Sequence, residues 1–232
     1  MAQLAVTLLG MACTAAWAEA PVQDIVVKGT IKAPNCQIDI AGGQGGGAVN
    51  YGPLSTTLVK PGYAFNPLEK STLDWTITCD SETYLTYTVA DNAKDSVNTR
   101  GQAVDRVFGL GWVREGEGKL GFYTMEVTEQ TVDGQAAYHG TKYSDTTLDT
   151  RTRYWGGTSY YPLYNRYVHN TEGKIHGWGA SDATISAPKP GRVFTMKMDI
   201  APQLSGSADM GDAITENVSL SGSSTFTFAF GL

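Results

Sequence analysis

The sequence predicts an all-β protein built as an immunoglobulin-like β-sandwich. Three observations support this fold class: short segments that alternate apolar and polar residues, turn signals between them, and a composition suited to strands. The 232 residues include 27 glycines and 12 tyrosines, with many threonines, serines and valines. Residues of these types favour pleated strands and the turns that join them. Nothing in the sequence resembles a helix bundle.

The clearest strand covers residues 72–79. Leu73, Trp75, Ile77 and Cys79 fall on one face because successive strand side chains point to opposite sides. We therefore expect a half-buried strand that directs its cysteine toward the core.

Further strands are predicted at residues 84–90, 193–200 and 214–220, with Phe194 directed toward the core. Residues 107–113 and 121–127 are expected to form a hairpin.

The amino-terminal segment predicts export. Residues 4–16 are apolar or small, and Ala16 and Ala18 occupy the two positions that a signal peptidase recognises. We expect residues 1–18 to be a signal peptide and the protein to pass through the periplasm. Residues 19–232 are then expected to form one domain with a long insertion at about 130–190.

Export leaves Cys36 and Cys79 as the cysteines of the mature chain. Two cysteines in an oxidising compartment predict one disulfide, worth about 4 kcal/mol in the chain-entropy model. A metal site would need CxxC or HxxxH spacing, which is absent, and a catalytic cysteine would need an activating base nearby.

Charge and motifs argue against nucleic-acid binding and catalysis. The net charge is −6, with no cluster of Lys and Arg. The histidines, His139, His169 and His176, lack a metal-binding spacing, and no nucleophile, zinc or phosphate motif occurs. We expect no enzyme, cofactor or metal, although a carboxylate pair for glycoside hydrolysis stays open.

The last strand carries the most functional information. Phe226, Phe228, Phe230 and Leu232 share one face, and full burial of each is worth roughly 1.5–3 kcal/mol. Either this strand is buried in its own sheet, or it is an apolar edge that a strand from another polypeptide must cover.

Several short motifs favour the second interpretation. Residues 27–31 followed by Pro34-Asn35-Cys36, and residues 76–79 with the second cysteine, resemble pilin subunits of the chaperone–usher pathway of Gram-negative bacteria. More narrowly, matches across residues 25–127 resemble a fimbrial-like family somewhat longer than ordinary pilins. The chain departs from pilins in having Gly231 next to last, where they usually have an aromatic residue, and Pro21 in its extension.

The resemblance implies a sandwich that lacks its final strand and a disulfide that ties the first two strands. A periplasmic chaperone, and later a neighbouring fimbrial subunit, would fill the gap, and an usher would assemble the fibre at the cell surface. Residues 19–27 would be the donor segment, with Val22, Ile25 or Val27 as groove fillers. Phe226, Phe228, Phe230 and Leu232 would line the acceptor groove.

Residues 143–178 are rich in aromatic side chains, which leaves a second function open. Trp155, Tyr160, Tyr161 and Trp178 are candidates for a surface that binds host glycan, since rings with polar edges suit sugars. The alternative is that these rings pack an irregular insertion. On the first interpretation, the protein would be a self-contained carbohydrate-binding β-protein.

Overall fold

The computed structural model describes residues 33–44, 46–143, 155–156, 167–180, 185–211, 214 and 217–230. The expected signal peptide (1–18) and the candidate donor residues Val22, Ile25 and Val27 lie outside these ranges.

The described chain is all-β, as expected. Its strands are β1 (Cys36–Gly42), β2 (Asn66–Pro67), β3 (Ser71–Thr83), β4 (Leu85–Asp91), β5 (Phe108–Gly109), β6 (Trp112–Arg114), β7 (Glu117–Lys119), β8 (Gly121–Val132), β9 (Gln135–Tyr143), β10 (Trp155–Gly156), β11 (Lys174–Gly179), β12 (Ile185–Ser186), β13 (Gly191–Leu204) and β14 (Ser224–Phe230). Short 3-10 helical turns cover Thr56–Leu58 and Lys94–Ser96.

One large antiparallel sheet contains most of these strands. Its order is β1-β3-β13-β8-β9-β11-β4-β14, with β2 beside β13 and β5 beside β8. The pairs β6–β7 and β10–β12 form two separate two-stranded sheets. Within the described chain, β1 and β14 are therefore the two ends of the main sheet.

The sheet curls so that its two ends approach face to face in a sandwich-like arrangement. Trp75 of β3 packs on Phe226 of β14, although the two strands lie near opposite ends of the sheet order. The core fills the space between, and the alternation predicted for β3 is confirmed: Leu73, Trp75, Ile77 and Cys79 are all buried. Phe194 of β13 is buried as predicted.

The predicted disulfide is present between Cys36 and Cys79. The two residues are direct cross-strand partners of β1 and β3, with their Cα atoms 4.1 Å apart. The disulfide therefore links β1, a strand at the end of the sheet, covalently to β3, with which it also pairs.

Residues 130–190 differ from a simple insertion, because they contribute β9 and β11 to the main sheet. These two strands connect β8 to β4 and thereby join the two halves of the curl.

Two smaller expectations need correction. Among residues 214–220, the described positions form no strand. The expected pairing of residues 107–113 with 121–127 is confirmed at Phe108↔Tyr123 and Gly109↔Phe122, but residues 112–119 form a separate short hairpin, β6–β7. Gly111 interrupts the predicted strand with a positive φ of 97°.

In the part of the chain that the structure describes, no helix has the length and apolar character needed to cross a membrane.

Candidate functional site: a groove beside the last strand

Strand β14 pairs with β4 at each of its seven residues, from Ser224↔Asp91 to Phe230↔Leu85. Among the described residues no strand pairs with its other side. Within the residues that the structure describes, the outer backbone donors and acceptors of β14 therefore form a free sheet edge, which can template the pairing of another strand.

The core-facing side of β14 is only partly covered. Phe226 and Phe228 are half-buried, whereas Phe230 is 42% exposed. Leu232, the fourth predicted groove residue, lies outside the described ranges. The structure thus places three of the four predicted residues on one incompletely covered face.

Strand β1, at the other end of the sheet, has the same character. Ile38 lies opposite the fully buried Ile77, yet Ile38 itself is 43% exposed. A large apolar side chain exposed beside a buried partner indicates that the layer above it is incomplete.

A cavity of about 380 Å³ opens between these two incomplete ends. Residues 46–49 line one side and residues 222–224 line the other. Leu73, Trp75, Met125 and Met198, from three neighbouring strands of the main sheet, contribute its apolar lining.

A second cavity of about 570 Å³ continues the first, because both are lined by Val49, Tyr51 and Leu220. It extends past residues 52–56 and 217–219. Together the two cavities form what we call the acceptor groove, which is bordered by the irregular segments 46–55 and 217–223.

The carboxyl-terminal wall of the groove is fixed by backbone contacts. Ser221 N–H donates to the Leu110 carbonyl over 2.9 Å, and Asn92 N–H donates to the Ser223 carbonyl over 3.0 Å. Gly111 beside this wall has a positive φ of 97°, which favours glycine, and a Cβ added there would also displace the Ser221 hydroxyl.

The opposite wall begins with the glycine-rich turn after β1. Gln44 N–H donates to the Ala48 carbonyl over 2.8 Å, and Gly43 and Gly47 have positive φ values of 57° and 81°. These left-handed conformations reverse the chain so that Val49 packs against the main core.

Tyr87 of β4 lies directly behind the groove aromatics. Its ring centroid is 5.7 Å from that of Phe226 and 5.8 Å from that of Phe228. Complete burial raises the pKa of the Tyr87 hydroxyl, which therefore stays neutral.

A chain of histidines continues from Tyr87 away from the groove. The Tyr87 hydroxyl is 3.3 Å from His139 Nε2, which is 3.1 Å from His176 Nδ1. On its other side, His176 Nε2 accepts from the His169 backbone N–H over 3.2 Å. His169 Nδ1 then lies 2.9 Å from Asp105 Oδ2.

Burial controls the charge of this cluster. It lowers the pKa of His176 well below the ordinary value, and the neighbouring His139 and His169 lower it further. Burial also lowers the pKa of His169, with Lys174 acting in the same direction and Asp105 opposing it. The rings of His176 and His169 are therefore neutral at pH 7.

The cluster has the geometry of a hydrogen-bonded chain. The His139 and His176 rings are nearly parallel, at 5°, with centroids 5.2 Å apart and facing nitrogens 3.1 Å apart. Nitrogens aimed at each other do not converge on a shared ion. Over the described ranges, no group of three or more His, Cys, Asp or Glu side chains is placed to hold a metal.

The predicted glycan surface is wrong at Trp178. This side chain is 1% exposed, packs against Phe194 and donates its Nε1–H to the Thr195 carbonyl over 2.9 Å. Its strand, β11, belongs to the main sheet, so the ring faces the core. Trp155 lies in β10, while Tyr160 and Tyr161 fall outside the described residues.

Sequence reasoning missed most of the groove and all of the histidine chain. The groove walls at residues 46–51 and 220–224 have no periodic pattern, and only their glycines indicated turns. His139 and His176 lie near each other because β9 pairs with β11, with Trp178 opposite His139. A pairing across residues 130–190 was not visible in the sequence.

Comparison with known proteins adds one match. Residues 25–107 match a family model described as "Protein of unknown function (DUF1120)". This stretch covers less than half of the chain and contains both cysteines, β1, β3 and β4. A search of curated proteins finds no match.

Proposed function

We propose that this protein is a structural or adhesive subunit of a bacterial surface fimbria, completed by a β-strand from another polypeptide. The single observation that carries the proposal is the acceptor groove, where β14 borders a channel with apolar side chains at its base. A donor strand there would gain backbone hydrogen bonds from β14 and bury its side chains against Trp75, Phe226 and Phe228.

The energetics favour occupation. A seven-residue edge is about 23 Å long at roughly 3.3 Å per residue. Each new backbone hydrogen bond contributes about 1 kcal/mol net, and each apolar side chain that becomes fully buried contributes roughly 1.5–3 kcal/mol. An unoccupied groove is correspondingly an aggregation site.

The donor segment that we propose is residues 19–27 of a neighbouring copy. Ile25 and Val27 share a strand face because they are two residues apart, so both enter the groove together, whereas Val22 has the opposite parity. A periplasmic chaperone would cover the groove before assembly, and an usher would direct the exchange. The disulfide supports passage through an oxidising compartment.

Fusion of residues 19–27 behind Leu232 through a short flexible linker tests the proposal. The linker lets the segment fold back antiparallel to β14. We expect the unfused protein to aggregate in the periplasm and the fusion to be a soluble monomer with a higher unfolding midpoint.

A matched pair of fusions identifies the face that enters the groove. Ile25→Asp in the fused segment should abolish the gain, whereas Val26→Asp, one residue away on the outward face, should retain it. An unfused protein as soluble and as stable as the fusion would refute strand addition, and so would equal effects of the two aspartates.

A further inference from the structure

The strand that supports the groove is held to the rest of the sheet by few pairs. β4 pairs with β14 along all seven residues of β14, but with β11 only at His176↔Tyr87 and Gly177↔Thr86. The β4–β14 pair therefore depends on the Tyr87–His176 position for its attachment.

Tyr87 transmits this attachment to the groove. Its ring lies 5.1 Å from the His176 ring on one side and contacts Phe226 and Phe228 on the other. A displacement of the Tyr87 ring would therefore shift the aromatic lining that a donor strand has to contact.

We propose that the His139–His176–His169 chain is a pH-sensitive latch that holds the β4–β14 wall of the acceptor groove and releases it on acidification. The inference rests on the proposed function for the role of the groove. It adds control of strand addition by pH, which the free edge of β14 does not by itself provide.

The hydrogen bonds define the neutral, closed state. His176 Nε2 lies 3.2 Å from the His169 backbone nitrogen and 3.3 Å from the His169 carbonyl oxygen. When Nε2 accepts from the His169 N–H, the neutral ring carries its proton on Nδ1 and donates it to His139 Nε2. In that tautomer a second proton goes to Nε2, which then turns from the His169 N–H to the His169 carbonyl. That protonation breaks the bond and places a charge in the core.

The contact that favours such a charge is the His169 carbonyl, 3.3 Å from His176 Nε2, and the neighbouring charges act against it. The elements around His176 carry several titratable groups. They are Tyr87 and Asp91 on β4, Tyr123, Glu126 and Glu129 on β8, Tyr138, His139, Lys142 and Tyr143 on β9, Lys174 on β11, and Asp105, Arg106, Tyr167 and His169 in the adjoining segments. Lys174 and both other histidines disfavour the charged form of His176. The Asp105 carboxylate contacts His169 Nδ1 instead.

Hydrogen exchange of the oxidised, unfused protein, refolded and kept dilute so that it stays monomeric, tests the latch at pH 7.5 and 5.5 without any occupant. After correction for intrinsic rates, we expect protection of β4 and β14 amides to fall by up to about ten-fold per pH unit below 6.5 for each histidine that resists protonation. Amides of the β3–β13 pair should change less and serve as the internal control.

Two variants distinguish the latch from general acid sensitivity. His176→Gln cannot gain a proton and should remove the extra loss of protection in β4 and β14. Tyr87→Phe keeps the ring but lacks the hydroxyl contact with His139, and should lessen the loss. An equal pH effect in wild type and His176→Gln would overturn the inference.

If His176→Gln does not fold, histidine titration of the wild type by NMR decides the question. A His176 that titrates at or above 6.5 would overturn the latch. Strand addition is judged separately, from the solubility of the fused protein at pH 7.5, so that either proposal can fail alone.

Discussion

Trp75 and Phe226 pack with ring centroids 4.8 Å apart and ring planes at 41°. Their strands, β3 and β14, lie near opposite ends of one sheet, so this contact closes the curl by side chains alone. Ile38 and Phe230, also on the two end strands, stay exposed. Because β3 and β14 touch through side chains and do not pair as strands, space for the acceptor groove remains beside them.

Removal of the Phe226 ring should weaken this closure. We expect Phe226→Ala to lower the free energy of unfolding by about 2 kcal/mol, below the roughly 3–5 kcal/mol of a fully buried ring, because Phe226 is half-buried. Urea unfolding measures the change. Thr227→Ala, on the exposed face of the same strand, is the control, and an equal loss there would contradict the assignment of faces.

Loss of the disulfide should destabilise the end strand β1. We expect the double variant Cys36→Ala/Cys79→Ala to lose about 4 kcal/mol through the greater entropy of the unfolded chain. Urea unfolding of the oxidised protein, the reduced protein and the variant measures this. An unchanged urea midpoint after reduction would show that the disulfide does not stabilise the folded protein relative to the unfolded chain.

Trp178 should matter for stability. Trp178→Ala removes a fully buried ring and should cost about 3–5 kcal/mol, whereas Trp178→Phe should cost less. Thermal unfolding tests both variants. Loss of glycan binding in a variant of undiminished stability would contradict the buried placement.

The close approach of Gly111 to Ser221 can be tested by a matched pair of glycines. Gly111 and Gly116 both have positive φ, 97° and 78°, but an added Cβ meets Ser221 only at Gly111. We expect Gly116→Ala to cost about 1 kcal/mol through backbone strain and Gly111→Ala to cost more. Equal losses in chemical unfolding would show that the Ser221 contact yields freely.

Acidification should destabilise the fold through its buried histidines. The folded pKa of His176 and of His169 lies below the unfolded value of about 6.5, so below that pH the unfolded chain binds more protons. Stability should then fall with decreasing pH by up to about 1.4 kcal/mol per unit for each group, until the folded pKa is passed. Urea unfolding at pH 7.5, 6.5 and 5.5 measures the slope.

His176→Gln serves as the reference for that slope, since it removes one of the two groups. If the wild-type urea midpoint is constant from pH 7.5 to 5.5, His169 and His176 have the same pKa in the folded and the unfolded chain. That result would contradict the prediction.

Several elements could be predicted from the sequence because their patterns are local. The alternation around Trp75 and Phe194 specifies strands and their buried faces, and the cysteine count specifies the disulfide. The segment at 214–220 also alternates, yet its described residues form no strand, since alternation does not supply a pairing partner. Trp178 shows the same limit: an aromatic residue between glycines suits a surface as well as a core.

The sequence by itself determined the strands with strong alternation, the oxidised Cys36–Cys79 pair and the apolar face of β14. These features depend on side-chain period and chemistry within a few residues. Only the tertiary structure decided that β9 and β11 bridge the sheet, that Tyr87 lies between the groove and the histidines, and that β14 ends the sheet. These features depend on strand order and curl, which arise from contacts between residues distant in the chain.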